Sequence, residues 1–323
     1  MPIIDMPLDQ LLEYRGKNEC PADFDAYWDK GIQEMENLGT SCRLQEAKLQ
    51  LPDVKCYELF FTGVGNAEIH GRFVIPLHPK KKVPCVCVFH GYAASCGPFT
   101  PLLSWAAAGF AAVSMSCRGQ GGLSQDSIPV RGNTLHGHII RGLDDPDPDK
   151  LYFRNVFLDT AQLARIVAAM PDIDETRIGA TGGSQGGGLT LACAALTPFL
   201  NRAFPMMSFL CDYRRVWEMD LDVAAYAELR EYFRCFDPRH EREKEIFTKL
   251  GYIDNQHLAH RIRAEIKMCT GLLDTICPPS TQFAVYNKIV SPKSYVLYPD
   301  YGHEFCPDTE DICLSFMLGM KSK

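Results

Sequence analysis

A glycine-rich pentapeptide, residues 182–186 (GGSQG), separates a predicted strand (RIGAT) from a predicted helix (GGLTLACAAL). In that context G-x-S-x-G is typical of a strained strand-to-helix turn that exposes a serine at the edge of a sheet. Glycines around Ser184 remove side chains that would clash in so sharp a turn. The pattern predicts Ser184 as a nucleophile and the backbone N–H of Gln185 as a donor to an oxyanion. The alternative is a turn that only lets a helix pack closely on the sheet.

The rest of the chain alternates between strand and helix patterns. Short apolar runs such as VPCVCVFH and FAAVSMSCRG are typical of strands covered on both faces, and LYFRNVFLDTAQLARIVAAM is an amphipathic helix. Together they predict an α/β fold with a mostly parallel sheet and helices on both faces. Three earlier runs, residues 43–51, 55–63 and 67–76, predict an antiparallel meander.

We expect one α/β domain over residues 1–323 with two additions. Residues 1–40 form an N-terminal helical segment by pattern, and residues 212–263 contain several helix patterns between two predicted strands. Insertions of this kind commonly pack over the carboxyl ends of parallel strands, where ligands bind. We therefore interpret residues 212–263 as a cap.

A general base and an acid are predicted after later strands. His303 follows the strand SYVLYP, and Asp274 ends the strand EIKMCTGLLD just before Pro278. The order serine, aspartate, histidine is that of a triad built on an α/β sheet. Asp300 is the main rival acid, but it is too near His303 in sequence. The alternatives are a surface loop for His303 and a helix N-cap for Asp274.

Two further loops follow predicted strands. The backbone N–H of Tyr92 is the candidate for the second oxyanion donor, and the preceding His90 is interpreted as a loop brace rather than a base. Arg118, in the run Arg118-Gly119-Gln120, could bind an anionic substrate group. We favour a structural ion pair for Arg118, with Glu304 as its predicted partner.

Composition excludes several classes of function. The formal net charge is −7, which argues against nucleic acid or an anionic membrane as the main partner. Fourteen cysteines occur without a C-x-x-C pair, so we expect reduced, mostly buried thiols and neither a zinc ribbon nor a thioredoxin-like site. The sequence shows no secretory leader and no apolar run of about 18–20 residues, so we expect a cytoplasmic protein.

Taken together, Arg118-Gly119-Gln120, the pentapeptide around Ser184 and His303-Glu304 resemble the cephalosporin C deacetylase and acetyl xylan esterase family, carbohydrate esterase family seven. The runs PADFDAYWDK and LDTICPPST extend the resemblance over nearly the whole chain. It implies an α/β-hydrolase fold and removal of acetyl groups from small substrates, such as acetylated xylo-oligosaccharides and cephalosporin C-type esters. It also implies an intracellular hexamer, a dimer of trimers, that needs no metal or organic cofactor.

Matched to the family, Ser184 is the nucleophile, Asp274 the acid and His303 the base. The oxyanion hole is formed by the backbone of Tyr92 and Gln185. Residues 131–149 resemble an extension that makes subunit contacts, the alternative being a mobile surface loop.

A small acyl pocket would be crowded by large side chains. Tyr92, Trp105 and Ile276 are candidates for this role from the resemblance and their loop positions, and the alternative for each is a hydrophobic core residue. Two other functions stay open: a serine peptidase of the same fold that acts on short peptides, and a catalytically inactive hydrolase fold that serves as a binding protein.

Overall fold

The structure is a computed structural model that describes residues 4–79, 81–132 and 138–320. Its strands are β1 Cys42–Glu46, β2 Val54–Gly63, β3 Ala67–Pro76, β4 Val83–Phe89, β5 Ala111–Met115, β6 Ile173–Gly183, β7 Arg202–Met206, β8 Glu265–Gly271 and β9 Lys293–Tyr298. The α-helices are α1 Leu8–Leu11, α2 Phe24–Glu36, α3 Leu103–Ala107, α4 Tyr152–Ala168, α5 Gln185–Leu196, α6 Tyr213–Glu218, α7 Ala227–Phe236, α8 Glu243–Leu250, α9 Asn255–Leu258, α10 Pro279–Tyr286 and α11 Thr309–Leu318. Short 3₁₀ turns cover Val64–Asn66, Thr100–Leu102, Pro148–Lys150, Ala224–Tyr226, Gly251–Ile253 and Ala259–Arg261.

All these strands form one sheet in the order β1-β2-β3-β5-β4-β6-β7-β8-β9. The meander β1-β2-β3 is antiparallel and joins β5 antiparallel, whereas every pairing from β5 through β4 to β9 is parallel. This confirms the predicted α/β fold and its mostly parallel sheet. The run 43–51 forms a strand only as far as Glu46, so the first strand is shorter than predicted.

The sheet is covered on both faces. In β4, Cys85 and Cys87 belong to one core, which contains α4 and α5, and Val86 belongs to the other, which contains α3 and α11. Successive side chains of a strand point to opposite faces, so a strand buried on both sides needs apolar residues throughout. This explains the continuous apolar run of β4.

Residues 212–263 contain α6 to α9, with 3₁₀ turns between them. The side chain of Glu228 in α7 accepts a hydrogen bond from Tyr92, so this helix lies against the loop that follows β4. The N-terminal segment contains α1 and α2, and Trp28 of α2 is fully buried. Residues 133–137 of the predicted contact loop 131–149 lie outside the described residues.

A search of the described ranges for helices with the length and apolar character of a bilayer span found none.

Candidate active site

The pentapeptide makes a tight turn between β6 and α5. Ser184 has φ 59° and ψ −119°, and its N–H donates to the Met206 carbonyl of β7 over 2.9 Å. A Cβ added at Gly182 would lie 2.6 Å from the Phe89 carbonyl oxygen, and one at Gly186 only 2.1 Å from the same atom. Neither approach is sterically possible, because such atoms need about 3 Å or more between them. The glycines are therefore required by the close approach of the turn to the end of β4.

Three distant side chains meet beside this turn. His303 Nε2 is 2.9 Å from Ser184 Oγ, and His303 Nδ1 is 2.8 Å from Asp274 Oδ2. Each residue follows the carboxyl end of its strand: Ser184 after β6, Asp274 after β8 and His303 after β9. The structure thus brings together the serine, acid and base candidates of the sequence.

The acid is held rigidly. The Asp274 side chain is fully buried, and its Oδ1 accepts the N–H groups of Ile276 over 2.9 Å and Cys277 over 2.7 Å. The loop with His303 is tied to the loop with Asp274, since Leu273 N–H donates to the Tyr301 carbonyl over 2.9 Å. With Oδ2 facing the imidazole, Nδ1 carries the proton and Nε2 is free to accept from the serine hydroxyl. This geometry can remove a proton from Ser184 as its oxygen attacks a carbonyl carbon.

The N–H of Gln185 is available beside the serine. Gln185 is the first residue of α5, and the first N–H groups of a helix have no acceptor within it. Gly91, which precedes Tyr92, lines the same cleft as Ser184. The N–H groups of Tyr92 and Gln185 stay the predicted oxyanion donors.

The Tyr92 side chain points to the helical insertion. Its hydroxyl donates to Glu228 Oε1 over 2.5 Å, and its ring packs edge-on against Phe209 and His138. Burial and the nearby Glu228 carboxylate raise the pKa of Tyr92. The side chain therefore connects the loop after β4 to α7.

His90 acts as a brace within the same region. Its Nδ1 lies 2.7 Å from the Gly91 carbonyl and its Nε2 accepts the N–H of Cys117 over 2.9 Å. Burial lowers the pKa of His90, which favours the neutral ring that Nε2 needs to accept the Cys117 N–H. This matches the loop-bracing interpretation.

The predicted ion pair between Arg118 and Glu304 is wrong. Arg118 is fully buried and binds Asp159 of α4 with two hydrogen bonds of 2.8 and 2.7 Å, while a third N–H donates to the Val64 carbonyl. Glu304 instead accepts the Gly302 N–H over 3.0 Å and so braces the loop with His303. The favoured structural role of Arg118 stands, with a different partner.

Gln120 of the same motif lies beside the turn. It exchanges two hydrogen bonds with the Gln185 carboxamide, of 2.9 and 3.0 Å, and its oxygen also accepts the Ala93 N–H over 3.0 Å. It therefore links the turn after β6 to the loop after β4.

The predicted pocket residues are placed differently. Trp105 is buried in the core on the α3 and α11 side of the sheet, edge-on to Phe110, so the structure does not bring it to Ser184. Ile276 is half-buried, packs against the core on the other side of the sheet and contributes its N–H to Asp274.

A cleft of about 700 Å³ opens above the serine. Phe305 stands at its edge with 95% of its surface exposed. The lining residues come from the ends of β4, β6 and β7 and from the segment after β9: Gly91, Gly183, Ser184, Met206, Met207, His303, Glu304, Phe305, Cys306, Asp308, Thr309, Glu310 and Asp311.

One group of side chains has the chemistry of metal ligands. Ligand atoms of Asp274, Cys277 and His303 lie within 4.8 Å of one another. Both ring nitrogens of His303 are already used, by Asp274 and Ser184, and burial raises the pKa of Cys277 well above its usual range. The group is therefore accounted for by the triad and a neighbouring neutral thiol.

Sequence reasoning missed Asp159 and Glu228. Each is an acidic residue on the buried side of its helix, with 0% and 2% of its surface exposed. A carboxylate that interrupts an apolar helix face indicates a buried cationic or hydrogen-bonding partner. The sequence of α4 contains this signal, because Asp159 interrupts its apolar face. It does not indicate that the partner of Asp159 is Arg118.

The strand order, the serine turn at the end of β6 and the side chains that follow β8 and β9 define an α/β hydrolase. A sequence profile of the family described as Acetyl xylan esterase (AXE1) matches residues 1–319. The chain belongs to the acetyl xylan esterase family, a family of carboxylic ester hydrolases.

Solved structures agree with this assignment. The chain is 52% identical to acetyl xylan esterase 1 from Thermoanaerobacterium sp. JW/SL YS485, with a TM-score of 0.96 over 99% of this chain and 100% of that one. It is 34% identical to an acetyl xylan esterase from Paenibacillus sp. R4, with a TM-score of 0.93 over 98% and 100% of the two chains.

A curated relative is the acetyl esterase Axe7A of Xylanibacter ruminicola, which is 25% identical over 302 residues. The match covers 91% of this chain but only 65% of Axe7A, so this chain spans about two thirds of that relative's length.

Proposed function

We propose that this chain is a serine esterase that removes acetyl groups from small acetylated substrates. The observation that carries the proposal is the continuous hydrogen-bonded path from Ser184 through His303 to Asp274, with distances of 2.9 and 2.8 Å. Membership of the acetyl xylan esterase family supports the choice of an acetyl ester.

The reaction follows from these positions. Ser184 Oγ attacks the ester carbonyl while His303 Nε2 takes its proton, and Asp274 stabilises the resulting imidazolium. The oxyanion accepts hydrogen bonds from the N–H groups of Tyr92 and Gln185. The alcohol leaves with the proton from His303, and a water activated by the same imidazole then releases acetate from acetyl-Ser184.

The proposed substrates are acetylated xylo-oligosaccharides and cephalosporin C-type esters. The names of the two solved relatives, both acetyl xylan esterases, support the first class. The cleft beside Ser184 is bordered by Met206, Met207 and the exposed ring of Phe305, an apolar surface against which a sugar ring can pack. We propose that residues 212–263 act as a cap that shapes this site from the side of Tyr92.

An acyl-length series tests the proposal. We expect the wild type to hydrolyse p-nitrophenyl acetate about tenfold or more faster than the butyrate, because the chain belongs to a family of acetyl esterases and the butyrate carries two extra methylenes. Ser184→Ala lowers kcat by about 10³ or more, since attack and acyl transfer both require the hydroxyl. Equal rates for both esters would contradict the acetyl preference, and an active Ser184→Ala would contradict the mechanism.

The two alternative functions have their own readouts. Peptide anilides cleaved as fast as p-nitrophenyl acetate would favour the peptidase. A chain whose Ser184 does not react with a fluorophosphonate probe, and that turns over no ester, would favour the inactive binding protein.

We also propose a cytoplasmic location and a homohexamer, both on the family resemblance. The fourteen cysteines all fall in described segments and are free thiols, which supports a reducing compartment. Light scattering coupled to gel filtration measures the assembly, and a monomer at micromolar concentration would contradict the hexamer.

A further inference from the structure

A thiol, an imidazole and a carboxylate lie next to one another at a second place in the fold, beside β2, β3 and the loop after β4. Cys96 Sγ is 3.7 Å from His70 Nδ1, and His70 Nε2 is 2.6 Å from Glu58 Oε2. His70 is 4% exposed, whereas Cys96 is half-buried and open to solvent in part. A base beside a thiol, itself oriented by an acid, is the arrangement that activates a cysteine.

The antiparallel meander builds the imidazole and carboxylate into one surface. Glu58 in β2 lies opposite Arg72 in β3, and His70 is two residues before Arg72, on the same face of β3. Arg72 donates to Glu58 through Nε and to the Gly97 carbonyl through a terminal nitrogen. The charged groups that act on Cys96 are His70 and Arg72, and both favour a negatively charged sulfur. Glu58 contacts both of them.

The backbone of Cys96 is fixed on both sides. Its N–H donates to Ser116 Oγ over 3.0 Å, and its carbonyl accepts the Ser114 hydroxyl over 2.9 Å. These two bonds fix the backbone from which the sulfur projects toward His70.

The electrostatics agree with this geometry. Burial is the largest single influence and opposes a charged sulfur, but the hydrogen bonds with His70 and Ser116 and the charges of His70 and Arg72 together outweigh it and lower the pKa of Cys96. Burial likewise opposes protonation of His70, but its contacts with Cys96 and Glu58 raise the pKa of the imidazole. By contrast, burial raises the pKa of Cys85 and Cys87 in β4.

We propose that Cys96 is a nucleophilic thiol and a modification site for small disulfides. The Cys96 proton passes to His70, and the thiolate attacks one sulfur of the disulfide. The bond between the two disulfide sulfurs breaks, a Cys96–sulfur bond forms, and the second half leaves as a thiolate that is protonated by water.

Modification at Cys96 acts on the loop that follows β4. Ala93 of this loop donates its N–H to Gln120, which is paired with Gln185, and Tyr92 precedes Ala93. We infer that a group attached to the sulfur crowds this loop and shifts the Tyr92 N–H. We therefore expect the mixed disulfide to lower esterase turnover, a consequence that rests on the proposed function.

Site-specific labelling tests the thiol independently of any esterase activity. With iodoacetamide at about pH 6.5, followed by peptide mass analysis, we expect Cys96 to react about tenfold faster than the exposed Cys235. His70→Gln slows Cys96 about tenfold, and the matched variant His78→Gln, on an exposed turn, leaves it unchanged. Equal rates for Cys96 and Cys235, or no effect of His70→Gln, would overturn the proposal. The Ser184→Ala chain gives the same labelling result, so a failed esterase assay does not affect it.

If His70→Gln does not fold, the pH profile of the wild type decides. The Cys96 rate should rise less steeply between about pH 7 and pH 8 than the rate of N-acetylcysteine, an ordinary thiol whose rate rises close to tenfold. Parallel profiles would overturn the proposal.

The effect on turnover is measured with the disulfide of mercaptoethanol. Chains carrying the mixed disulfide at Cys96 should hydrolyse p-nitrophenyl acetate at least about fivefold more slowly than the untreated enzyme, and a reducing agent should restore their activity. The Cys96→Ser variant, treated in the same way, should keep full activity. Full activity in the modified wild type would overturn the regulatory consequence. Loss of activity in treated Cys96→Ser would assign the effect to another cysteine.

Discussion

The carboxamides of Gln120 and Gln185 face each other across the end of the sheet and exchange two hydrogen bonds, of 2.9 and 3.0 Å. Gln185 is fully buried and supplies one proposed oxyanion N–H, while Gln120 also accepts the N–H of Ala93, next to Tyr92. One amide pair therefore holds together the two backbone segments that must act on the same oxygen. Of the motif Arg118-Gly119-Gln120, the arginine is buried in an ion pair with Asp159, and only Gln120 contacts the active site.

Gln120→Met is expected to lower kcat for p-nitrophenyl acetate by about 10-fold to 10²-fold with little change in KM, because the lost contact positions groups that act in the transition state. Steady-state kinetics measure the split. The exposed Gln125→Met is the matched control and should match the wild type. A rise in KM at constant kcat would instead indicate a substrate contact.

Phe305→Ala is expected to raise KM for acetylated xylo-oligosaccharides by about 2–10-fold, since an aromatic face contributes of this order to packing. The ring is 95% exposed at the edge of the cleft, so a small ester that reaches only Ser184 does not need it. Turnover of p-nitrophenyl acetate should therefore be unchanged. The control is Leu123→Ala, which removes an exposed apolar side chain elsewhere. Equal effects on both substrates would contradict a sugar-binding role.

Arg118→Met is expected to destabilise the fold by about 3–5 kcal/mol, because it leaves the Asp159 carboxylate buried without its partner. The double variant Arg118→Met with Asp159→Leu should recover most of this loss. Urea unfolding of the two single variants and the double variant measures the cycle. An Arg118→Met variant that is as stable as the wild type but has a raised KM would contradict the structural role and favour substrate binding by Arg118.

Asp254 gives a pH-dependent prediction. Burial and the neighbouring Asp212 raise the pKa of Asp254 to about 7. The unfolded chain releases this proton near pH 4, so the folded state binds more protons between about pH 4 and pH 7. Asp254 therefore makes its full contribution to the free energy of unfolding below about pH 4, and this contribution is lost as pH rises to about 7.

Asp254→Asn removes the titration but keeps an oxygen for the N–H groups of Asp212 and Gln256. As pH rises from about 4 to 7, the free energy of unfolding of the variant should increase relative to that of the wild type, by at most about 1.4 kcal/mol per pH unit. Urea unfolding at several pH values measures the difference. The control is the surface variant Asp220→Asn. A difference independent of pH would contradict the raised pKa of Asp254.

The sequence alone determined features that depend on neighbouring residues. The turn at Ser184 was predictable because G-x-S-x-G between a strand and a helix is a local pattern. The tertiary structure adds why Gly182 and Gly186 are needed, since the Phe89 carbonyl of β4 lies where their side chains would be. The buried strands were predictable because a strand covered on both faces must be apolar throughout, as β4 is. Because parallel strands have their carboxyl ends at one edge of a sheet, Asp274 and His303 were expected at the same edge as Ser184.

Only the tertiary structure decided which side chains meet across elements. Arg118 binds Asp159 rather than Glu304, Trp105 faces the core on the α3 side, and Cys96 reaches His70. Such contacts depend on sheet order, strand register and the face to which each side chain points, and a shift of one residue in register reverses that face. Local pattern does not contain these quantities, because they are set by the packing of the whole molecule.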